Sequence, residues 1–351
     1  MLRNFFFGAP EVKRNEVNVP EVEDDQPRNK FTEIQILSAH TDLVDSIQNT
    51  GPSRVVTTGQ DKKGVVWDCA SGEAIMELTG HTRNITCVFY FERYEDAECC
   101  LPVVVTASSD RTIRVWDVSG GTCKKVVHQH QGAVKCFCYH NKNNSDGVGV
   151  VVSGGQDICV WDSSFRLLTK LQLNSLDYIH TAISMYPQRI VVATDQPHLT
   201  VYDVFIQTCD DATTTTTTTT TSESEVKMYK TLPRHRESVL FLACIGNAMF
   251  TSASMDGAVT VWSTNTLNVI RQFNRYENFV NICDHTYPYK VNDILVADHR
   301  YVVAAIGSGF AIFDALYDKC VARVLNAHHS AVTSLTLVED GCYLATSSLD
   351  R

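Results

Sequence analysis

No two cysteines in this 351-residue sequence stand as C-x-x-C, which removes zinc ribbons and thioredoxin-like redox motifs from consideration. G-x-S-x-G, H-E-x-x-H and the lysine-bearing phosphate loop are missing too, and with them the common local signatures of serine hydrolases, zinc proteases and P-loop nucleotidases. Apolar runs such as 101–107 and 148–152 fall far short of the roughly 18 residues that suggest a membrane span, so a soluble chain is expected. The opening MLRNFFFGAPEVKRNE has too short an apolar part for a signal peptide, and charges follow at once; a secretory route is not expected. There is also no concentrated basic run, and 40 acidic against 30 basic residues give a formal charge of −10. Such a surface repels phosphate backbones, so nucleic acid is not an expected partner.

What is present is ordinary for a folded domain, with 44% hydrophobic and 20% charged residues, a balance that does not suggest overall disorder. Cysteine is plentiful, at 13 residues, but the count is odd. Cys87, Cys136, Cys138 and Cys159 lie inside apolar runs, where a reduced thiol packs as a small hydrophobe. Structural thiols in a reducing, cytosolic compartment are expected.

Internal repetition sets the architecture. Asp61-KKGVV-Trp67-Asp68, Asp110-RTIRV-Trp116-Asp117 and Asp256-GAVTV-Trp262 place an Asp six residues before a Trp, and Asp157-ICV-Trp161-Asp162 is a shortened copy. Weaker copies carry Tyr202-Asp203 and Phe313-Asp314. The aromatic positions 67, 116, 161, 202, 262 and 313 are 49, 45, 41, 60 and 51 residues apart, against about 40–45 for a WD-repeat blade. The long gap holds nine threonines, 213–221, followed by SESE. A polar tract of this kind buries nothing, and it is expected to be a surface-loop insertion at 210–225. Within a copy, runs such as 103–107 and 112–117 flank a turn cluster at 108–111; that is strand, tight turn, strand. Helical periodicity is absent from Phe31 onward.

A His stands before most copies, at His40, His81, His130, His235 and His328, and a hydroxyl residue four before each Asp, at Thr57, Thr106, Ser153, Ser252 and Thr346. With its G-H…W-D signature the chain resembles the WD-repeat β-propeller family from Phe31 to the end. The resemblance implies an all-β propeller of seven to eight blades when intact. Hydroxyl, imidazole and carboxylate are also the vocabulary of nucleophilic catalysis. Repetition decides between the readings, because an enzyme needs one active site and a scaffold needs one tetrad per blade. The family's structural tetrad then falls on His40, Thr57, Asp61 and Trp67; His81, Thr106, Asp110 and Trp116; His130, Ser153, Asp157 and Trp161; and His235, Ser252, Asp256 and Trp262. The short Asp157-to-Trp161 spacing threatens to move that carboxylate off its tetrad. Repeats four and six lack full sets and are expected to be looser or rebuilt. His328-His329 as a metal pair is disfavoured, since neighbours on a strand edge point apart. No catalytic, cofactor or metal site is expected.

The last copy stops at Asp350-Arg351, before the position six residues after the Asp where a Trp is expected. Phe31–Leu37 is the natural outer strand for that blade, but it leaves the third strand missing. About six and a half blades are therefore expected here, in a C-terminally truncated propeller spanning 31–351, with 1–30 as a flexible tail.

A finer resemblance, to one branch of the family, is carried by MLR at the start, GEAIMELTGHTRNIT at 72–86, VVTASSDRTIRVWD at 104–117, VVSGGQDICVWD at 151–162 and NDILVADHRYVVAAIGSGFAIF at 292–313. It implies a non-catalytic scaffold, a subunit joining two DENN-domain proteins in a complex that regulates autophagy and small GTPases. It also implies a cytoplasmic protein recruited to lysosomes, touching membrane only through a partner. Two rivals stand beside it: a propeller hydrolase, and a substrate receptor of a cullin-type ubiquitin ligase. The second usually carries W-D-x-R, and this chain has Ala70, Ser119, Ser164 and Asn265 at the Arg position. No partner-contact residue follows from the sequence.

Overall fold

A computed structural model describes residues 2–7, 31–51, 53–95, 100–140, 149–174, 177–185, 188–205, 224–233, 235–273, 290–317, 319–338 and 343–349. Every regular element among them is a strand, and the strands form seven four-stranded antiparallel sheets. Blade 1 shows the common plan. Its inner strand Val44–Asn49 is half-buried, Arg54–Gly59 and Lys63–Asp68 are buried almost throughout, and the outer strand Ala74–Thr79 is mostly exposed. The middle strands are apolar on both faces because both faces are covered by neighbouring blades.

Blades 2 to 6 repeat the plan at residues 85–127, 136–172, 179–231, 239–273 and 291–324. The first strand of each blade packs against the first strand of the next, and that of blade 7 packs against that of blade 1, so the ring closes around a central channel. Seven apolar clusters, one at each joint, hold the blades together. Between blades 1 and 2, for example, Val56, Val66 and Leu78 meet Val88, Val104 and Trp116.

Blade 7 corrects the expected half blade. Its first two strands are Val332–Val338 and Tyr343–Ser348; the third is Leu2–Phe7 (β1), and Phe31–Leu37 (β2) lies outermost. β1, read from the sequence as part of a tail, is thus a central strand, paired with Tyr343–Ser348 on one side and β2 on the other. Phe5 pairs with Leu344 at the register position that Trp67 holds opposite Val55 and Trp116 opposite Val104. The FFF run is the strand signal, and 8–30 lie outside the described residues. So does the Thr-rich insertion, apart from Ser224 and Glu225.

Blades 4 and 6 are the rebuilt ones. Val192 and Ala304 replace the hydroxyl, and Tyr202 and Phe313 replace the Trp, so this stretch of each blade is apolar. Each blade instead ties an Arg to the Asp after its aromatic residue: Arg189 Nε to Asp203 at 2.8 Å and Arg300 Nη2 to Asp314 at 2.5 Å. Tyr229 covers Arg189, and Tyr301 and Tyr317 flank Arg300.

Candidate functional site: buried polar chains and the channel mouth

In blade 1, Trp67 Nε1–H donates to Thr57 Oγ1 at 2.7 Å, Thr57 lies 2.7 Å from His40 Nε2, and His40 Nδ1 lies 2.8 Å from Asp61. Indole N–H can only donate, so the hydroxyl accepts from it and passes its own proton to Nε2. The imidazole is left with its proton on Nδ1, aimed at the carboxylate. Blade 2 repeats the chain with Trp116, Thr106, His81 and Asp110 at 2.8, 2.8 and 2.9 Å. There Thr112 Oγ1 adds a 2.6 Å bond to Asp110 that the repeat pattern did not reveal. Gly80, just before His81, has φ 148°, and a Cβ there would meet Arg114 Nη1 at 2.5 Å, which accounts for the glycine of the G-H pair.

Blade 3 keeps its chain despite the shortened spacing. Trp161 donates to Ser153 at 2.7 Å, Ser153 lies 2.6 Å from His130 Nε2, and His130 Nδ1 bonds Asp157. Asp157 sits on a strand, Asp157–Trp161, whereas Asp61 and Asp110 sit in turns, and Lys170 Nζ pairs with it at 2.7 Å. Blade 5 departs from the expected set. Trp262, Ser252 and His235 connect at 2.8 and 3.1 Å, but no hydrogen bond joins His235 to Asp256, whose Oδ1 accepts from Ala258 N–H at 2.9 Å and so caps its own turn. In blade 7, His328 Nε2 lies 2.7 Å from Thr346, and Asp350 lies outside the described residues.

Electrostatics agree with these roles. Burial pushes the Asp61 and Asp110 carboxyls up, but hydrogen bonds, from His40 in one case and from Thr112 and His81 in the other, outweigh it and hold both below the usual range. The same balance, with His130 and Lys170 as partners, holds Asp157 at about 2. Burial depresses His81 and His235, so both favour the neutral form. Cys87, Cys138 and Cys159 are pushed up to about 12 by burial, and thiols held protonated in this way are poor nucleophiles. Groups so buried and so repeated hold the blades in shape.

The unrepeated chemistry lies at the channel. In six blades the second strand skips one residue of the inner strand: Asp45, Thr86, His180, Leu240, Asn292 and Thr333. Such bulges re-aim a side chain, and five of these six residues, with Lys135 of blade 3, line a channel of about 710 Å³. An acid, a lysine, a histidine held by Asp195 at 2.7 Å and a leucine thus share one rim. Burial raises Asp45. Deeper in the wall, Asp293 of blade 6 accepts from Ser334 Oγ and Leu335 N–H of blade 7, both at 2.7 Å, and burial nevertheless raises its carboxyl to about 6. A register skip has no residue-type signal, so the spacing of Trp and Asp did not point to this rim.

The chain is 28% identical over 325 residues to WD repeat-containing protein 41 from Homo sapiens and 27% identical over 317 residues to its Mus musculus counterpart. Each alignment covers 88% of this chain and 66% or 65% of the relative, so the chain spans slightly less than two thirds of their length. Pre-mRNA-processing factor 19 from Bos taurus is 29% identical, over 40% of this chain and 26% of its own. Residues 1–348 match the WDR41 β-propeller family, and this span includes β1; the chain belongs to that family.

Proposed function

We propose that this WD-repeat scaffold is the propeller part of an adaptor that joins two DENN-domain proteins in a complex regulating autophagy and small GTPases. The supporting observation is the division of labour between repeated and unrepeated residues. Every His–hydroxyl–Trp chain is buried inside a blade and cannot touch a substrate, while the side chains that differ from blade to blade ring the channel mouth. A surface of that kind selects a protein partner by its particular pattern of charge and shape. The similarity to the human and mouse relatives named WD repeat-containing protein 41 supports the finer reading. On it the protein is cytoplasmic, does no chemistry of its own, needs no cofactor, and reaches the lysosomal surface through a partner.

The cullin-ligase reading is the competitor. Ser119 and Ser164 at the expected Arg positions bond back to Asp117 and Asp162 as turn residues, and neither offers the cation that reading requires. Mass spectrometry of what co-purifies with the protein from its own cells separates the two. Two DENN-domain proteins in near-equal amounts are expected. Cullin-ligase subunits without DENN proteins would overturn the adaptor reading.

A further inference from the structure

We propose that blade 3 contains a site for one zinc-type divalent cation, bound by His130 Nδ1, Asp157 Oδ1 and Cys159 Sγ. These three residues are buried, and their ligand atoms lie within 4.8 Å of one another, the one such group among the described residues. Cys159 Sγ is 3.9 Å from His130 Nδ1. Zinc bonds of about 2.1 Å to nitrogen and 2.3 Å to sulfur in a tetrahedron separate the two by about 3.6 Å. Sulfur and nitrogen therefore stand close to their places already. The carboxylate trades its hydrogen bond to Nδ1 for the metal.

The shortened repeat creates this cluster. With Asp157 drawn onto the strand, Cys159 follows two residues later on the same face. Cys159 pairs in register with Ser153, where blade 1 has Val65 opposite Thr57 and blade 2 has Arg114 opposite Thr106. Neither of those residues is a zinc ligand.

The outer atoms of the ligands are also held. Asp157 Oδ2 accepts from Gln131 N–H at 3.2 Å and pairs with Lys170 Nζ at 2.7 Å, leaving Oδ1 facing the imidazole. Ser153 holds the far nitrogen of His130. Partners of this kind orient metal ligands and fix the histidine tautomer. On binding, the His130 proton moves from Nδ1 to Nε2 and is donated to Ser153, whose own hydroxyl proton turns away from Nε2 while its oxygen keeps its bond from Trp161. Cys159 loses its thiol proton to solvent, so one proton leaves per metal bound. Water takes the fourth position. Lys170, partly exposed, and Gln131, exposed, stand on the solvent side of the cluster.

The test is titration of Co2+ into the purified full chain, stripped of metal, at mildly alkaline pH. A near-ultraviolet thiolate-to-metal charge-transfer band is expected, saturating at one Co2+ per chain, reversed by Zn2+, and accompanied by release of one proton. Cys159→Val, which places blade 1's residue at this register, should fold and lose the band. Cys159→Ser, of similar volume, is the second variant with the same expectation. Absence of a band in the wild-type protein, or a band of equal strength in both variants, overturns the site.

Discussion

Thr106 satisfies two buried partners with one hydroxyl: it accepts from Trp116 and donates to His81. Thr106→Val should orphan both at about 1–3 kcal/mol each, seen as a lower urea midpoint. Adding Trp116→Phe should cost less than the separate effects summed, with a coupling of about 0.5–3 kcal/mol, since blades 4 and 6 stand with no hydroxyl and no indole. Two opposed pH dependences belong to the same scale. His81 and His235 have depressed folded pKa values, so the unfolded chain takes up protons first and stability falls as pH drops below about 6.5. The low carboxyl of Asp157 adds a further loss between about pH 4 and 2. Asp293 works the other way: with its folded carboxyl raised to about 6, its ionised form weakens the fold above that pH, and the effect fades as pH falls toward 4. Melting temperatures of wild type and Asp293→Asn at pH about 7.5 and 5 check this, and the difference should shift in favour of wild type at the lower pH. These chains are legible in the sequence because a hydroxyl residue recurs four before each Asp and a Trp follows; Lys170, Thr112 and Cys159 are not, because each occurs in one blade and repetition gives no signal for it.

At the scale of elements, each Trp marks a third strand, followed by Asp in three blades and by Ser263 in the fourth, and four blades can be read in that way. β1 has no such mark. Its Phe run is separated from β2 by 23 residues, 8–30, and its partner strand is more than 330 positions away, so no local pattern announces the pairing. The structure makes β1 a central strand, with both backbone edges in ladders. Phe6→Pro, at a position paired with Thr32 on one side and Tyr343 on the other, should therefore break the blade, since proline removes a ladder N–H and is tolerated essentially only at edges or bulges. A loss of about 3 kcal/mol or more is expected by urea denaturation. If β1 were merely a tail, the same substitution would leave the midpoint unmoved. The Arg–Asp ties of blades 4 and 6 also escape a search for tetrads. Arg300 beside Asp314 holds that carboxyl at about 2, but the arginine is well exposed, and exposed pairs contribute little. Apolar packing around Tyr202 and Phe313 accounts for the survival of these blades without a polar chain.

At the scale of the whole ring, six joints link blades that follow one another directly along the chain. The seventh joins blade 7, built from both ends of the sequence, to blade 1. There Leu37 at the end of β2 packs with Ile47, Val55, Val65 and Trp67. Thr333 Oγ1 donates to Val44 O at 2.8 Å and Asn49 Nδ2 donates to Leu337 O at 2.9 Å across the same seam. Leu37→Ala and Leu78→Ala remove side chains of the same size and nearly equal burial, 2% and 0% exposed, and each should cost about 2–5 kcal/mol. Their consequences in native-state hydrogen exchange should differ. Leu78 lies in a blade made from one continuous stretch, so its loss should loosen the joint between blades 1 and 2 and leave β1 protected. Leu37 lies in the blade whose two halves, β1 with β2 and the two C-terminal strands, are joined only by non-covalent contacts. Its loss should raise exchange in β1, β2 and Tyr343–Ser348 together, as one cooperative unit. Equal and local exchange in both variants would mean that the seam is no weaker than any other joint, and that closure is spread evenly around the ring.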